Sequence, residues 1–143
     1  MSTATEFYTA HRQDIIAKYI ASMNVVFQGE AICSATVLVP SIESLQRVDN
    51  CPTLLQERVA KKLELRVTII GQKIFTVAYD TSRVPEASVD GRQIPEEDYD
   101  KVPHFLFTLP TEIEHRLVEM MKGYGLNYAA IDLILTPDNR YVF

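Results

Sequence analysis

The sequence predicts an α+β domain, a largely antiparallel sheet with covering helices, and three observations lead there. Residues 63–79, LELRVTIIGQKIFTVAY, alternate apolar and polar side chains about a Gly-Gln pair, the period of two that paired strands require. Residues 111–125 place Ile113, Leu117, Met120 or Met121, and Tyr124 on one helical stripe, punctuated by Gly123 and Gly125. A strongly apolar strand candidate, YAAIDLIL, follows that helix, as expected for a sheet covered on one face.

The elements follow in chain order. Residues 10–22, AHRQDIIAKYIAS, read as a first helix, because Ile15, Ile16, Tyr19 and Ile20 fall on one stripe. Two apolar runs flank Gln28-Gly29-Glu30 and read as a hairpin. Ser41 opens a short helical turn, SIESLQR, in which Ser44 rather than Glu stands at the third position, so its cap is partial. Cys51-Pro52 punctuates the chain before the strand LLQERV. The hairpin over 63–79 turns at Gly71-Gln72, with Lys73 following. Residues 81–103, rich in Pro, Asp and Glu, read as a long loop, and loops of more than ~15 residues in compact domains are usually functional or mobile. Thr111-Glu112-Ile113-Glu114 is a capping box for the second helix. After a turn at Pro137-Asp138-Asn139, the strand RYVF stops without a polar exit, an unfinished hairpin or a strand needing a partner.

Composition narrows the classes. With 143 residues, 47% of them apolar and 23% charged, the chain suits one soluble domain or part of a larger protein. It has no apolar run near the ~20 residues that span a bilayer and no apolar segment of the secretory kind, so a cytoplasmic location is expected. The net charge of -5 and the lack of a basic cluster beyond Lys61-Lys62 argue against nucleic acid. Cys33 and Cys51 lack metal-type spacing and read as free thiols, while His11, His104 and His115 are scattered.

Three places could carry chemistry. Glu64 and Arg66 share one face of their strand roughly 6–7 Å apart, a spacing that suits a shared polar ligand or a cross-strand salt bridge. Asp132 lies inside an apolar strand and needs a partner, either an arginine such as Arg66 or Arg92, or a divalent metal such as Mg²⁺. Asp90-Gly91-Arg92 is either a plain surface turn or a loop whose guanidinium forks onto a phosphate. No glycine-rich phosphate loop and no nucleophile elbow is present.

In order and spacing, CPTLLQERVAKKLELRVTIIGQKIFTVAYD, then DGR, then the helix, then GLNYAAIDLILTPDNRYVF resemble the ATP-grasp ligases. The likeness is to the RimK-like branch with its microviridin-type (graspetide) peptide maturases, and it covers about residues 51–143, a partial ATP-grasp fold. It implies two segments: 1–50, an N-terminal helix and hairpin forming the tail of a preceding subdomain, and 51–143, the C-terminal subdomain. It further implies ATP and Mg²⁺ as cofactors and a precursor peptide or small carboxylate as partner. The implied chemistry is activation of a carboxylate to an acyl phosphate that an amine or hydroxyl then attacks.

Residue by residue, the resemblance implies a hinge at Gln56, Glu57, Arg58 and Val59 whose backbone meets the adenine edge. Glu64 and Arg66 would face the ribose and phosphates, Arg92 would stabilise phosphoryl charge, and Asp132 would be the first of three Mg²⁺ ligands. Three departures stand out. The family's Glu and Asn metal ligands follow the point where this sequence stops, its DWR reads Asp90-Gly91-Arg92, and its glycine-rich loop and lysine have no counterpart in residues 1–50. The expectation is therefore a ligase-derived piece inactive alone, or a non-catalytic module that recruits a partner, or a second copy, through its last strand.

Overall fold

In the computed structural model, residues 3–20, 24–27, 30–33, 35–50, 52–84, 87 and 89–143 are described. The chain divides into two compact units, Met1–Arg58 with Val89–Gln93, and Val59–Ser88 with Ile94–Phe143. The strand Thr53–Glu57 belongs to the sheet of the first unit.

The first unit opens with helix α1, Thr3–Ala10, followed by strands β1 (Ile15–Tyr19), β2 (Asn24–Phe27), β3 (Glu30–Cys33), β4 (Val37–Leu38) and β5 (Thr53–Glu57). The helix expected over residues 10–22 is not there. The chain leaves α1 through Arg12 and Gln13, both at positive φ (55° and 64°), and Ile15 begins a strand. The β-branched pair Ile15-Ile16 suits extended backbone, and pairing with both neighbours decides the outcome. Strand β1 is the middle of a three-stranded antiparallel sheet, bonded to β4 on one side and to β5 on the other. Tyr8, Ile15, Val39 and Leu45 form its buried core. Strands β2 and β3 pair as the expected hairpin, while Gln28, Gly29 and the side chains of Cys33 and Cys51 lie outside the described residues. The Ser41 turn is a 3-10 helix, Ile42–Asn50.

The second unit holds β6 (Leu63–Ile70), β7 (Lys73–Tyr79), β8 (His104–Leu106), helix α2 (Thr111–Gly123), β9 (Tyr128–Leu135) and β10 (Tyr141–Val142). Its sheet order is β10-β9-β6-β7-β8, antiparallel throughout. Gly71, at φ +60°, makes the tight turn between β6 and β7, a conformation that glycine adopts without a Cβ clash. One face of the sheet is dry: Leu65, Val67, Ile69, Ile131, Leu133 and Leu135 pack with Leu117 and Met121 of α2. Burial of each such side chain stabilises the fold by about 1.5–3 kcal/mol.

Three details of this unit depart from the sequence expectation. Pro110 rather than Thr111 precedes α2, and no side chain caps it. The Pro110 carbonyl accepts from the N–H groups of Ile113 and Glu114, so Thr111 is already helical and its hydroxyl is misplaced for a cap. Tyr124 lies just beyond the last turn and is 75% exposed, so the buried stripe ends at Met121. Strand β10 pairs with β9 across Tyr141↔Leu135 and Val142↔Ile134 and forms one edge of the sheet. Within residues 81–103, short 3-10 turns enclose a small core of Val84, Ala87 and Val102, packed by Ile94. No helix of the described residues is long and apolar enough to cross a membrane.

Candidate functional site

The face of the five-stranded sheet opposite the α2 core carries the predicted charged residues. Because side chains alternate along a strand, the register places them in rows that cross the sheet. One row runs Asp132, Arg66, Val77, Leu106 across β9, β6, β7 and β8. The next runs Ile134, Glu64, Tyr79, His104, roughly 7 Å away along the strands. On the other side of the acid–base row lie Ala130, Thr68 and Phe75. Glu64, Arg66 and Asp132 all lie on this face.

Arg66 and Asp132 sit directly opposite one another, with Nε 3.2 Å from Oδ1. Their side chains are 50% and 75% exposed, so water screens the pair and it contributes only about 0–1 kcal/mol to stability. Of the two arginines considered for Asp132, Arg66 is the partner. A pair held so weakly can exchange one partner for a ligand.

Glu64 is held differently. Its Oε1 accepts from Lys61 Nζ at 2.6 Å and from the Thr81 hydroxyl at 3.3 Å. Lys61 also donates to the carbonyl of Ala87 at 2.8 Å, and its side chain is only 11% exposed. Sequence reasoning noted Lys61 only as part of a basic doublet. The i,i+3 spacing to Glu64 is a local signal for the pair, but Thr81 and Ala87 are brought in by tertiary folding alone.

The hinge candidates lie at the boundary of the two units, between Arg58 and Val59. Gln56 and Glu57 belong to β5, paired with Ile16 and Ile15. Glu57 Oε2 lies 3.7 Å from His11 Nδ1, whose ring meets Phe7 at a centroid distance of 4.1 Å. Arg58 forks onto Asp14, Nε to Oδ1 at 2.6 Å and Nη2 to Oδ2 at 3.3 Å.

Asp90-Gly91-Arg92 is no plain surface turn. Asp90 is buried, and its Oδ2 accepts the backbone N–H of Thr36 at 2.8 Å. The Gln93 side-chain amide donates to the carbonyl of the same Thr36 at 2.8 Å. Together they clip the 3-10 turn Gly91–Gln93 onto the first unit. The backbone of Arg92 lies in that turn, and its side chain lies outside the described residues. Among the described residues no three His, Cys, Asp or Glu side chains cluster as a metal site.

No family model matches the chain, and no curated protein sequence does. Solved structures do. A RiPP-associated ATP-grasp ligase of Chryseobacterium gregarium, solved with ADP and a leader and core peptide, is 30% identical over 98% of this chain and 42% of its own, with a TM-score of 0.87. Macrocyclase MdnC of Microcystis aeruginosa, bound with precursor peptide MdnA, is 32% identical over 98% of this chain and 40% of its own, with a TM-score of 0.77. Macrocyclase MdnB of the same organism is 26% identical over the same shares, with a TM-score of 0.66. The chain spans about two fifths of the length of these structures. Its fold is α+β and matches part of an ATP-grasp enzyme.

Proposed function

We propose that this chain is the nucleotide-binding part of an ATP-dependent ligase that matures a peptide, joining a side-chain carboxylate to an amine or hydroxyl through an acyl phosphate. The observation that carries this reading is the solvent-exposed Arg66–Asp132 pair, with Glu64 one row away, on a sheet whose backbone is similar to that of peptide-bound ATP-grasp ligases. The reading extends to the RimK-like branch, to a cytoplasmic location, and to a peptide or small carboxylate partner rather than nucleic acid. The net charge of -5 supports the last point.

Each residue then has a task. Arg66 supplies a planar guanidinium to phosphate oxygens, exchanging a screened carboxylate for a stronger anionic partner. Asp132 is the residue that would hold Mg²⁺, an ion that binds through one or two carboxylates plus nucleotide phosphates. That donor chemistry fits a single exposed carboxylate beside an exposed arginine. When bound, the ion neutralises phosphate charge. Glu64 faces the ribose, and the backbone of the segment from Gln56 to Val59 serves the adenine edge. Arg92 stabilises charge on the transferred phosphoryl group.

Calorimetric titration of the chain with Mg·ATP tests the reading, and binding weakened at least about tenfold by Arg66→Ala is the expected result. Absence of heat at millimolar nucleotide would remove the cofactor from this chain. A second reading, a non-catalytic module that kept the fold, draws on one fact: Arg66 and Asp132 already neutralise one another. Exchanging the two charges, Arg66→Asp with Asp132→Arg, separates the readings. A ligand site loses nucleotide binding, whereas a purely structural pair is restored.

A further inference from the structure

We infer that Asp14 is a positioning residue for the hinge, gripping Arg58 so that the peptide group of Glu57 is held outward from the sheet edge for a purine base to meet. The inference rests on the nucleotide reading above and adds to it a residue that lies outside the hinge.

Strand β5 is an edge of the three-stranded sheet, so each of its residues turns its N–H and carbonyl either toward β1 or off the edge. The bonds fix which residues do which. Ile15, opposite Glu57, accepts the N–H of Val39 at 3.1 Å on its other side. Ile15 and Glu57 therefore turn their peptide groups away from one another, and those of Glu57 point off the edge. One residue further, the Arg58 N–H turns back to the Asp14 carbonyl at 3.1 Å.

Arg58 lies past the end of β5 and is the last residue of this stretch of the first unit. Asp14 carries the alternation that one step further, and it does so with two groups. Its carbonyl takes the Arg58 amide, and its carboxylate takes the guanidinium on both oxygens, at 2.6 Å and 3.3 Å. A two-point fork sets direction as well as distance. The pair is 39% and 49% exposed, so it adds little to stability and its geometry serves placement.

Asp14 is itself aimed. Helix α1 ends with a bond from the Gln13 N–H to the carbonyl of Tyr8 at 2.9 Å, and Tyr8 is buried in the core of the unit. Arg12 and Gln13 both hold left-handed backbone, at φ 55° and 64°, which side chains beyond glycine rarely adopt. Two such residues in a row persist only where their surroundings fix them, and here they stand immediately before the residue that grips the hinge. His11 of the same turn adds a contact to the Glu57 carboxylate at 3.7 Å. An outward N–H and carbonyl on one residue match the adjacent N1 acceptor and N6 donor of adenine, whereas guanine presents the opposite order.

The test compares Kd values for Mg·ATP and Mg·GTP on the intact chain by calorimetry. Wild type should favour ATP by at least about tenfold, and Asp14→Ala should bring the ratio below about threefold by weakening ATP alone. Asp14→Arg should do the same, and Asp14→Arg with Arg58→Asp, which re-forms the pair with its charges exchanged, should recover ATP to within about threefold of wild type. Equal binding of the two nucleotides by wild type would overturn the inference and leave the nucleotide site standing. So would ATP affinity untouched in Asp14→Ala, an equal loss of both nucleotides, or a loss that the exchanged pair does not recover. Where GTP binds too weakly to measure, recovery by the exchanged pair decides. If Asp14→Ala fails to fold by circular dichroism, Arg58→Gln, which removes the fork and keeps the backbone bond, takes its place with the same expected loss. Absence of binding to either nucleotide sinks the parent reading, and this one with it.

Discussion

The two faces of the five-stranded sheet share the same strands and differ in everything else. Along β6, Leu65, Val67 and Ile69 are at most 1% exposed, while Glu64, Arg66 and Thr68, interleaved with them, face the open side. Strand β9 repeats the division, with Ile131 and Leu133 in the core and Asp132 between them in water. The difference teaches where each kind of energy resides. Stability sits on the α2 side, where removal of a side chain leaves a hole. The open side carries the Arg66–Asp132 pair, whose loss costs the fold little, and residues free of structural duty are the ones chemistry can use.

The largest effect expected is on the dry face. Leu65→Ala should cost about 3 kcal/mol of unfolding free energy, read from a lower urea midpoint at unchanged slope. A loss under about 1 kcal/mol would mean that the core is not the support it is taken for here. On the open face Arg66→Ala should change stability by less than about 1 kcal/mol, yet weaken Mg·ATP at least about tenfold. A stability loss as large as that of Leu65→Ala would erase the contrast between the faces.

Smaller again, Asp132→Asn should leave the urea midpoint nearly unchanged and flatten the dependence of ATP affinity on Mg²⁺ concentration. A mutant with an undiminished Mg²⁺ dependence would free Asp132 of its assigned task. The smallest effect concerns the edge of the sheet. A hydrogen bond from the Thr136 hydroxyl, and then Arg140, hold the Asp138 carboxyl below its ordinary value of 3.8. A depressed folded value means that the contribution is present above 3.8 and is lost as pH falls through the folded value. Thermal unfolding of wild type should therefore converge slightly on that of Asp138→Asn as the pH drops below the ordinary carboxylate range.

Legibility in the sequence followed the range of the interactions. The β6–β7 hairpin was readable because its alternation and its Gly71 turn are local, and β9 because Asp132 interrupts an otherwise apolar run. The shared face of Glu64, Arg66 and Asp132 needed only a period of two and one correct register. Ile15, Ile16, Tyr19 and Ile20 fit a helical stripe equally well on paper, and only pairing with Val37–Leu38 and Thr53–Glu57 makes Ile15–Tyr19 a strand. The capping box failed for a similar reason, since Pro110 takes the cap position one residue before the hydroxyl that should have filled it. Lys61 escaped notice because a carbonyl 26 residues away gives it its purpose.

The grip of Asp90 on Thr36 also bears on how the protein is made. The acceptor for that amide is encoded 54 positions later, so the first unit is not contiguous in the chain. During vectorial synthesis its earlier strands emerge well before the five residues that complete it, and all of β6 and β7 appears in between. A nascent chain halted near residue 58 would hold a unit still lacking Val89–Gln93, vulnerable to proteases until translation passes Gln93.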